Sequence, residues 1–244
     1  MKKIIACGCS WTYGAEWNML TDELKFDRPV SEKFTDYATI VGNKYLNADT
    51  INLARPGASN YSIAVQIEYA LSLNPDLIIF NITTPERIDV LERNKKLSGK
   101  VRIQNFDYTL FPNEHIGETT NEIDSGPHLR TMMRAQAGEK KFQGVADFLV
   151  DYHSYWIKED QDRLLVLGTF SILNKSKVPY MCVNFYPPLF PNNDLENTIS
   201  ISYTKMCELF PLVRDPYHFS SKGHEYLADR VFQNMKEAGF PLSL

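Results

Sequence analysis

The sequence predicts an α/β domain: a central parallel sheet with helices on both faces, stacked as a three-layer α/β/α sandwich. Three observations carry that prediction. Short continuous apolar runs, Ile4–Cys7, Leu77–Ile82 and Tyr180–Phe185, read as strands buried on both faces. Helical stripes stand between them, and strands alternating with helices make a parallel sheet. The length, 244 residues, suits one such domain and is ample for a core without metal or disulfide staples.

Taken in order, the first strand, Ile4–Cys7, is cut off by Gly8-Cys9-Ser10, a small polar corner with a hydroxyl at its tip. Thr35–Leu46 places Tyr37, Ile40, Val41 and Tyr45 on one helical stripe, and Asp49–Leu53 is a weaker strand candidate. Ser62–Leu73 repeats the helical pattern with Ile63, Ile67, Ala70 and Leu71, and Asn74-Pro75 ends it before the second strong strand. From about Ser98 to Gly144 the rhythm breaks into Gly, Pro, Asn, Thr and charges, which reads as an insertion within a single domain spanning 1–244. A long helical pattern follows from about Val145 to Leu173 with Phe148, Tyr152, Tyr155 and Trp156. The last helix, Lys222 to Ala238, carries Leu227, Val231 and Met235 and stops at Gly239.

Composition excludes several classes of function. The chain is 43% apolar and 23% charged with a net charge of −4, and it holds no Lys/Arg block. That argues against nucleic acid, whose phosphates need basic partners, and against an anionic membrane surface. The cysteines, Cys7, Cys9, Cys182 and Cys207, form no CxxC pair or Cys/His spacing and read as reduced, packed thiols. His115, His128 and His153 have no ligand spacing, so no metal is expected. The apolar stretch before Gly8 is too short for a secretory core and no window reaches the length of a membrane span, so the expectation is a cytoplasmic protein.

Ligands of open parallel sheets bind beyond the carboxyl ends of the strands. The residues there are Gly8-Cys9-Ser10, Ala54-Arg55-Pro56-Gly57-Ala58-Ser59-Asn60, Thr83-Thr84-Pro85-Glu86-Arg87 and, before the last helix, Asp215-Pro216-Tyr217-His218. Ser10 reads as a nucleophile if a base is near, and otherwise as a helix N-cap. His218 offers an imidazole base and Asp215 a carboxylate to orient it, against a plain Asp-Pro turn. His224, on the first helical turn, is the rival base and reads as a packing residue. Gly57 belongs to a Pro-Gly bend; Asn60 and Ser59 read as caps of the following helix, with Asn60 also able to face the pocket. Asn52 reads as satisfying backbone at a strand end, and Arg87 as a solvated charge. Trp11, Tyr13 and Trp17 read as core residues or as an acyl- or sugar-binding wall.

In this order the segments resemble the sequence blocks of the SGNH (GDSL) hydrolases: "GCS" with "WTYG", "NLARPGASN" and "DPYHFSSKGH". The Gly-Cys-Ser version is also similar to hydrolase-like proteins of tailed phages and environmental sequences. The resemblance covers the chain outside the insertion and implies a flavodoxin-like SGNH fold and no cofactor. It implies Ser10 as nucleophile, His218 as base and Asp215 as orienter, with backbone N–H groups of Ser10 and Gly57 holding the oxyanion. Two departures stand out. Cys9 occupies the place of the acidic residue before the serine, and the family's Gly-x-Asn-Asp block falls on Thr83-Thr84-Pro85-Glu86, so Pro85 stands where the oxyanion asparagine would, with Asn81 nearby but two residues earlier in register. Thr83 or Thr84 is the expected replacement donor. The implied activity is hydrolysis of a short acyl ester, such as an O-acetyl group on a carbohydrate, through an acyl-enzyme. An acyltransferase with the same triad and a non-catalytic binding module on the same fold are the alternatives. Oligomeric state is not read from the sequence.

Overall fold

The computed structural model describes residues 2–14, 16–18, 23–25, 36–55, 58–85, 88–90, 108–110, 155–190, 195–212 and 215–240. Five parallel strands form the central sheet: β1 (Lys3–Cys7), β4 (Asp49–Asn52), β5 (Leu77–Ile82), β8 (Tyr180–Asn184) and β9 (Thr198–Ser200). Their spatial order is β4-β1-β5-β8-β9, with Ile5 beside both Ile51 and Ile78, Ile78 beside Tyr180, and Cys182 beside Thr198. Counted along the chain this is 2-1-3-4-5, the flavodoxin-like order, whose switch point lies between the first and third strands. Every residue of β5 and β8 is buried, which is why both runs are continuously apolar apart from one asparagine each.

Helices cover both faces. On one lie α3 (Asn60–Ser72), against β1 and β5, and α4 (Tyr155–Ser176), packed on α3. Phe80 and Tyr180 point to this side and meet the Phe170 ring of α4, with centroids 5.5 Å away in each case. On the other face lie α2 (Tyr37–Ile40) and α6 (Ser221–Glu237), which touch each other, α2 also meeting β4 and α6 meeting β8. A single turn, α1 (Ser10–Tyr13), follows β1, and α5 (Tyr203–Leu209) follows β9. Three two-stranded antiparallel pairs complete the described elements: β2 (Glu16–Asn18) with β3 (Glu23–Lys25), β6 (Ile88–Val90) with β7 (Tyr108–Leu110), and β10 (Pro211–Leu212) with β11 (Asp215–Phe219).

The predicted three-layer α/β/α architecture is the one found, with two differences in detail. The helix expected over 35–46 starts at Tyr37, where Asp36 caps it by accepting from the Thr39 N–H at 2.9 Å, and it turns into a π-helix over Val41–Leu46. The fifth strand and α5 went unpredicted, because a three-residue edge strand holds no readable period. The insertion at 98–144 lies outside the described residues apart from Tyr108–Leu110 of β7, as do Phe148 and Tyr152.

Candidate active site

The site is built around the corner after β1. Gly8 is gripped at both main-chain groups by Gln66 of α3: its N–H donates to Oε1 at 2.6 Å and its carbonyl accepts from Nε2 at 3.2 Å. A Cβ on Gly8 would lie 2.0 Å from Asn81 Oδ1 and 2.6 Å from Thr12 Oγ1, so only glycine lets Asn81 approach. Asn81, in β5, accepts from the Cys9 N–H at 3.0 Å and from the Thr12 hydroxyl at 2.7 Å, and its Nδ2 donates to Cys9 Sγ at 3.4 Å. Because the single Thr12 proton goes to Asn81, the Tyr37 hydroxyl 2.8 Å away is the donor of its bond to Thr12. Burial pushes the Tyr37 phenol well up, which keeps it protonated for that role. Asn52 closes the ring, donating to the Thr12 carbonyl and accepting from the Ala54 N–H, both at 2.9 Å.

This fastening presents Ser10 as the first residue of α1, 7% exposed, beyond the end of β1 at the switch point. Its N–H lies in the first turn, where the helix itself supplies no acceptor.

Across the switch point Thr83 and Thr84 follow β5, both buried. Thr83 N–H and C=O are held together by one side chain: Asn60 Oδ1 accepts from Thr83 N at 2.9 Å, and Asn60 Nδ2 donates to Thr83 O at 3.0 Å. Asn60 Nδ2 also donates to Asp162 Oδ2 of α4 at 2.8 Å, and Asp162 pairs with Lys158 one turn earlier. Asn60 therefore braces the Thr83 segment with both ends of its amide and is the first residue of α3 rather than its cap. Ser59 does cap α3, accepting from the Ser62 N–H at 3.2 Å. The Thr83 hydroxyl is buried with no hydrogen-bond partner among the described residues.

His218, 2% exposed, stands near the end of β11, and α1 and β11 approach within 8 Å between Cα atoms. The sequence reads Asp215–His218 as a turn; it is a strand with an irregular register, Pro211 opposite Phe219 and Leu212 opposite Asp215. The register thus shifts between the two pairings, with residues 216–218 of the strand falling between them. The backbone of Asp215 lies in this strand; its side chain is outside the described residues, as is the whole of Gly57. His224 is buried between rings, stacked on Tyr37 with centroids 6.3 Å apart and beside Phe219 at 4.5 Å.

Trp11 stacks on Tyr203 at 4.8 Å and meets Phe185 edge-on at 5.0 Å, so it packs in the core. The Trp17 side chain, Arg87, His115, His128 and His153 lie outside the described residues. All four cysteines are buried and free, and burial pushes the Cys7 and Cys182 thiols far up, away from thiolate chemistry. Sequence reasoning missed Gln66 and Asp162, and it noted Asn81 only by its register, whereas Asn81 braces the corner. The available signal was polar side chains inside apolar patterns: Gln66 on the buried stripe of α3, and Asn81 within "LIIFNI".

No family model matches the chain, and no curated protein matches it. Solved structures similar to it include a carbohydrate esterase whose active site displays divergent catalytic and non-catalytic binding functions (9% identity, 100% of this chain and 70% of that chain, TM-score 0.49). Others are the psychrotrophic esterase EstA from Pseudoalteromonas sp. (7% identity, 97% and 98%, TM-score 0.48) and the acetyl xylan esterase AlAXEase (12% identity, 95% and 98%, TM-score 0.46).

Proposed function

We propose that the protein is a serine hydrolase of the SGNH type that cleaves a short acyl ester, an O-acetyl group on a carbohydrate being the preferred substrate class. The observation that carries this reading is the braced corner: five side chains, from Gln66, Asn81, Thr12, Tyr37 and Asn52, hold Ser10 at the switch point, with the His218 strand packed against its turn. A plain N-cap serine needs no such scaffold, whereas a nucleophile needs its position held to a fraction of an ångström. The strand order is also the one that the sequence resemblance implies. The preference for carbohydrate esters rests on that resemblance alone.

In this reading Ser10 Oγ attacks the ester carbonyl while His218 takes its proton. The Asp215 carboxylate holds the imidazole in orientation and stabilises the imidazolium. Negative charge on the carbonyl oxygen is met by the N–H groups of Ser10 and Gly57 and by the Thr83 or Thr84 hydroxyl. Collapse expels the alcohol, which receives the proton from His218. Water, deprotonated by His218, then attacks the acyl group, and the carboxylic acid leaves as the Ser10 Oγ–acyl bond breaks and His218 returns the proton to Oγ. The near-complete cover of Ser10 and His218 suits a small acyl group.

Hydrolysis of a short nitrophenyl ester by the wild type and by Ser10→Ala, His218→Ala and His224→Ala tests this. Loss of about 10³-fold or more is expected for the first two variants. His224→Ala should keep its rate and lose about 1–3 kcal/mol of stability by emptying a ring-lined site. A folded wild type without turnover would favour the binding module, and acyl transfer to an added sugar in preference to water would favour the transferase.

A further inference from the structure

The side chain of Asn60 stands where a neighbouring strand would be. The last pairing of β1 with β5 is Cys7 with Phe80, so beyond it the β1 side of β5 has no strand to bond. Asn60 supplies the missing pair, accepting from Thr83 N and donating to Thr83 O. With main-chain groups on both sides of the Thr83 Cα held, the direction of its side chain is held as well. Alternation continued past β5 puts Thr83 on the face of Asn81, which touches Cys9 and Thr12, but one layer nearer the carboxyl edge, the edge beyond which Ser10 lies. There its hydroxyl is buried and has no partner among the described residues, although buried hydroxyls are ordinarily bonded.

The Asn60 amide can close that pair of bonds only one way round, and Asp162 reinforces that orientation. A carboxylate accepts and does not donate, so Asp162 Oδ2, 2.8 Å from Asn60 Nδ2, excludes the flipped amide, in which two oxygens would face each other there and a second pair would meet at the Thr83 carbonyl. Asp162 is 2% exposed, and Lys158, itself largely covered, balances it from the preceding turn. We propose that Asp162, with Lys158, is a positioning residue: through Asn60 it locks Thr83 so that the Thr83 hydroxyl meets the developing oxyanion. This rests on the esterase reading above.

The test compares kcat and KM for a nitrophenyl ester in Asp162→Ala, Asp162→Asn, Asn60→Asp, Thr83→Ala and the double variant Thr83→Ala/Asp162→Ala. Asp162→Ala should lower kcat about 10-fold or more with KM little changed, since a displaced donor weakens only the transition state. Asp162→Asn, which keeps an acceptor, should stay near wild type. Asn60→Asp removes the same link together with the bond to the Thr83 carbonyl, because one nitrogen makes both, so its loss should be at least that of Asp162→Ala, and it gives a second measurement where the alanine variant does not fold. In the Thr83→Ala background the loss of Asp162 should cost nothing more. Hydrogen exchange at the Thr83 amide, read without any ester, should quicken in Asp162→Ala and Asn60→Asp. An active wild type with unchanged kcat in both variants, additive losses in the double variant, or an unchanged Thr83 amide overturns this proposal alone. A wild type that neither hydrolyses esters nor accepts a serine-directed phosphonate overturns the esterase reading itself.

Discussion

At the scale of single residues, Gly8 has no room for a side chain, because a Cβ there would fall 2.0 Å from Asn81 Oδ1. Gly8→Ala must push Asn81 off the Cys9 N–H and the Thr12 hydroxyl. It should cost about 1–3 kcal/mol as overpacking alone, with a fall in melting temperature of roughly 2–4 °C per kcal/mol in thermal unfolding. Asn81→Ala and Thr83→Ala separate bracing from catalysis. The first strands the buried Cys9 N–H and should lower stability by about 1–3 kcal/mol together with activity. The second removes a hydroxyl that bonds nothing among the described residues, so it should lower kcat about 10–10³-fold with little loss of stability. Equal stability losses in the two variants would place Thr83 among the bracing groups instead.

At the scale of elements, the π-helix is fastened to α6 by a surface cluster. The Tyr45 hydroxyl bonds Asp229, Lys44 pairs with Asp229 at 3.2 Å, and the Tyr45 ring stacks on Phe232 with centroids 4.2 Å apart. The Tyr45 hydrogen bond, and then Lys44, holds the Asp229 carboxyl below its ordinary value of 3.8. A carboxyl depressed in the folded state stabilises above its unfolded pKa, and the contribution is lost as pH falls through the folded one. Tyr45→Phe should therefore lower the melting temperature slightly at neutral pH, and the gap to wild type should close as pH drops below about 3.8. A gap that stays constant to lower pH would show that the hydroxyl contributes independently of the Asp229 charge, and no gap at all that only the ring packing matters. The ends of the elements explain what the sequence conceals here. The stripe Tyr37, Ile40, Val41 and Tyr45 reads as one α-helix, yet the Gly42 position, where a Cβ would lie 2.3 Å from Thr50 Oγ1, presses against β4 and the winding changes from Val41.

At the scale of the whole molecule, the buried strands were legible because β1, β5 and β8 are covered on both faces and so are apolar without a period. The edge strand β9 was not, since three residues with alternating burial look like loop. The segment of His218 reads as a turn and is the strand β11, whereas the place of Ser10 just beyond a strand was legible. The bracing of the corner was not, because Gln66, Asn52 and Asn81 come from three separate elements and meet at Gly8–Thr12 only in the folded chain. Asp162 lies 102 positions from Asn60 and carries no local mark of its role. The central claim is that this assembly of distant parts makes Ser10 a nucleophile. A fluorophosphonate probe, followed by mapping of the modified peptide, tests that most directly. The account predicts a single adduct on Ser10, absent in Ser10→Ala and strongly slowed in His218→Ala. An adduct on Ser59, Ser220 or Ser221, or no adduct on the folded wild type, would contradict it.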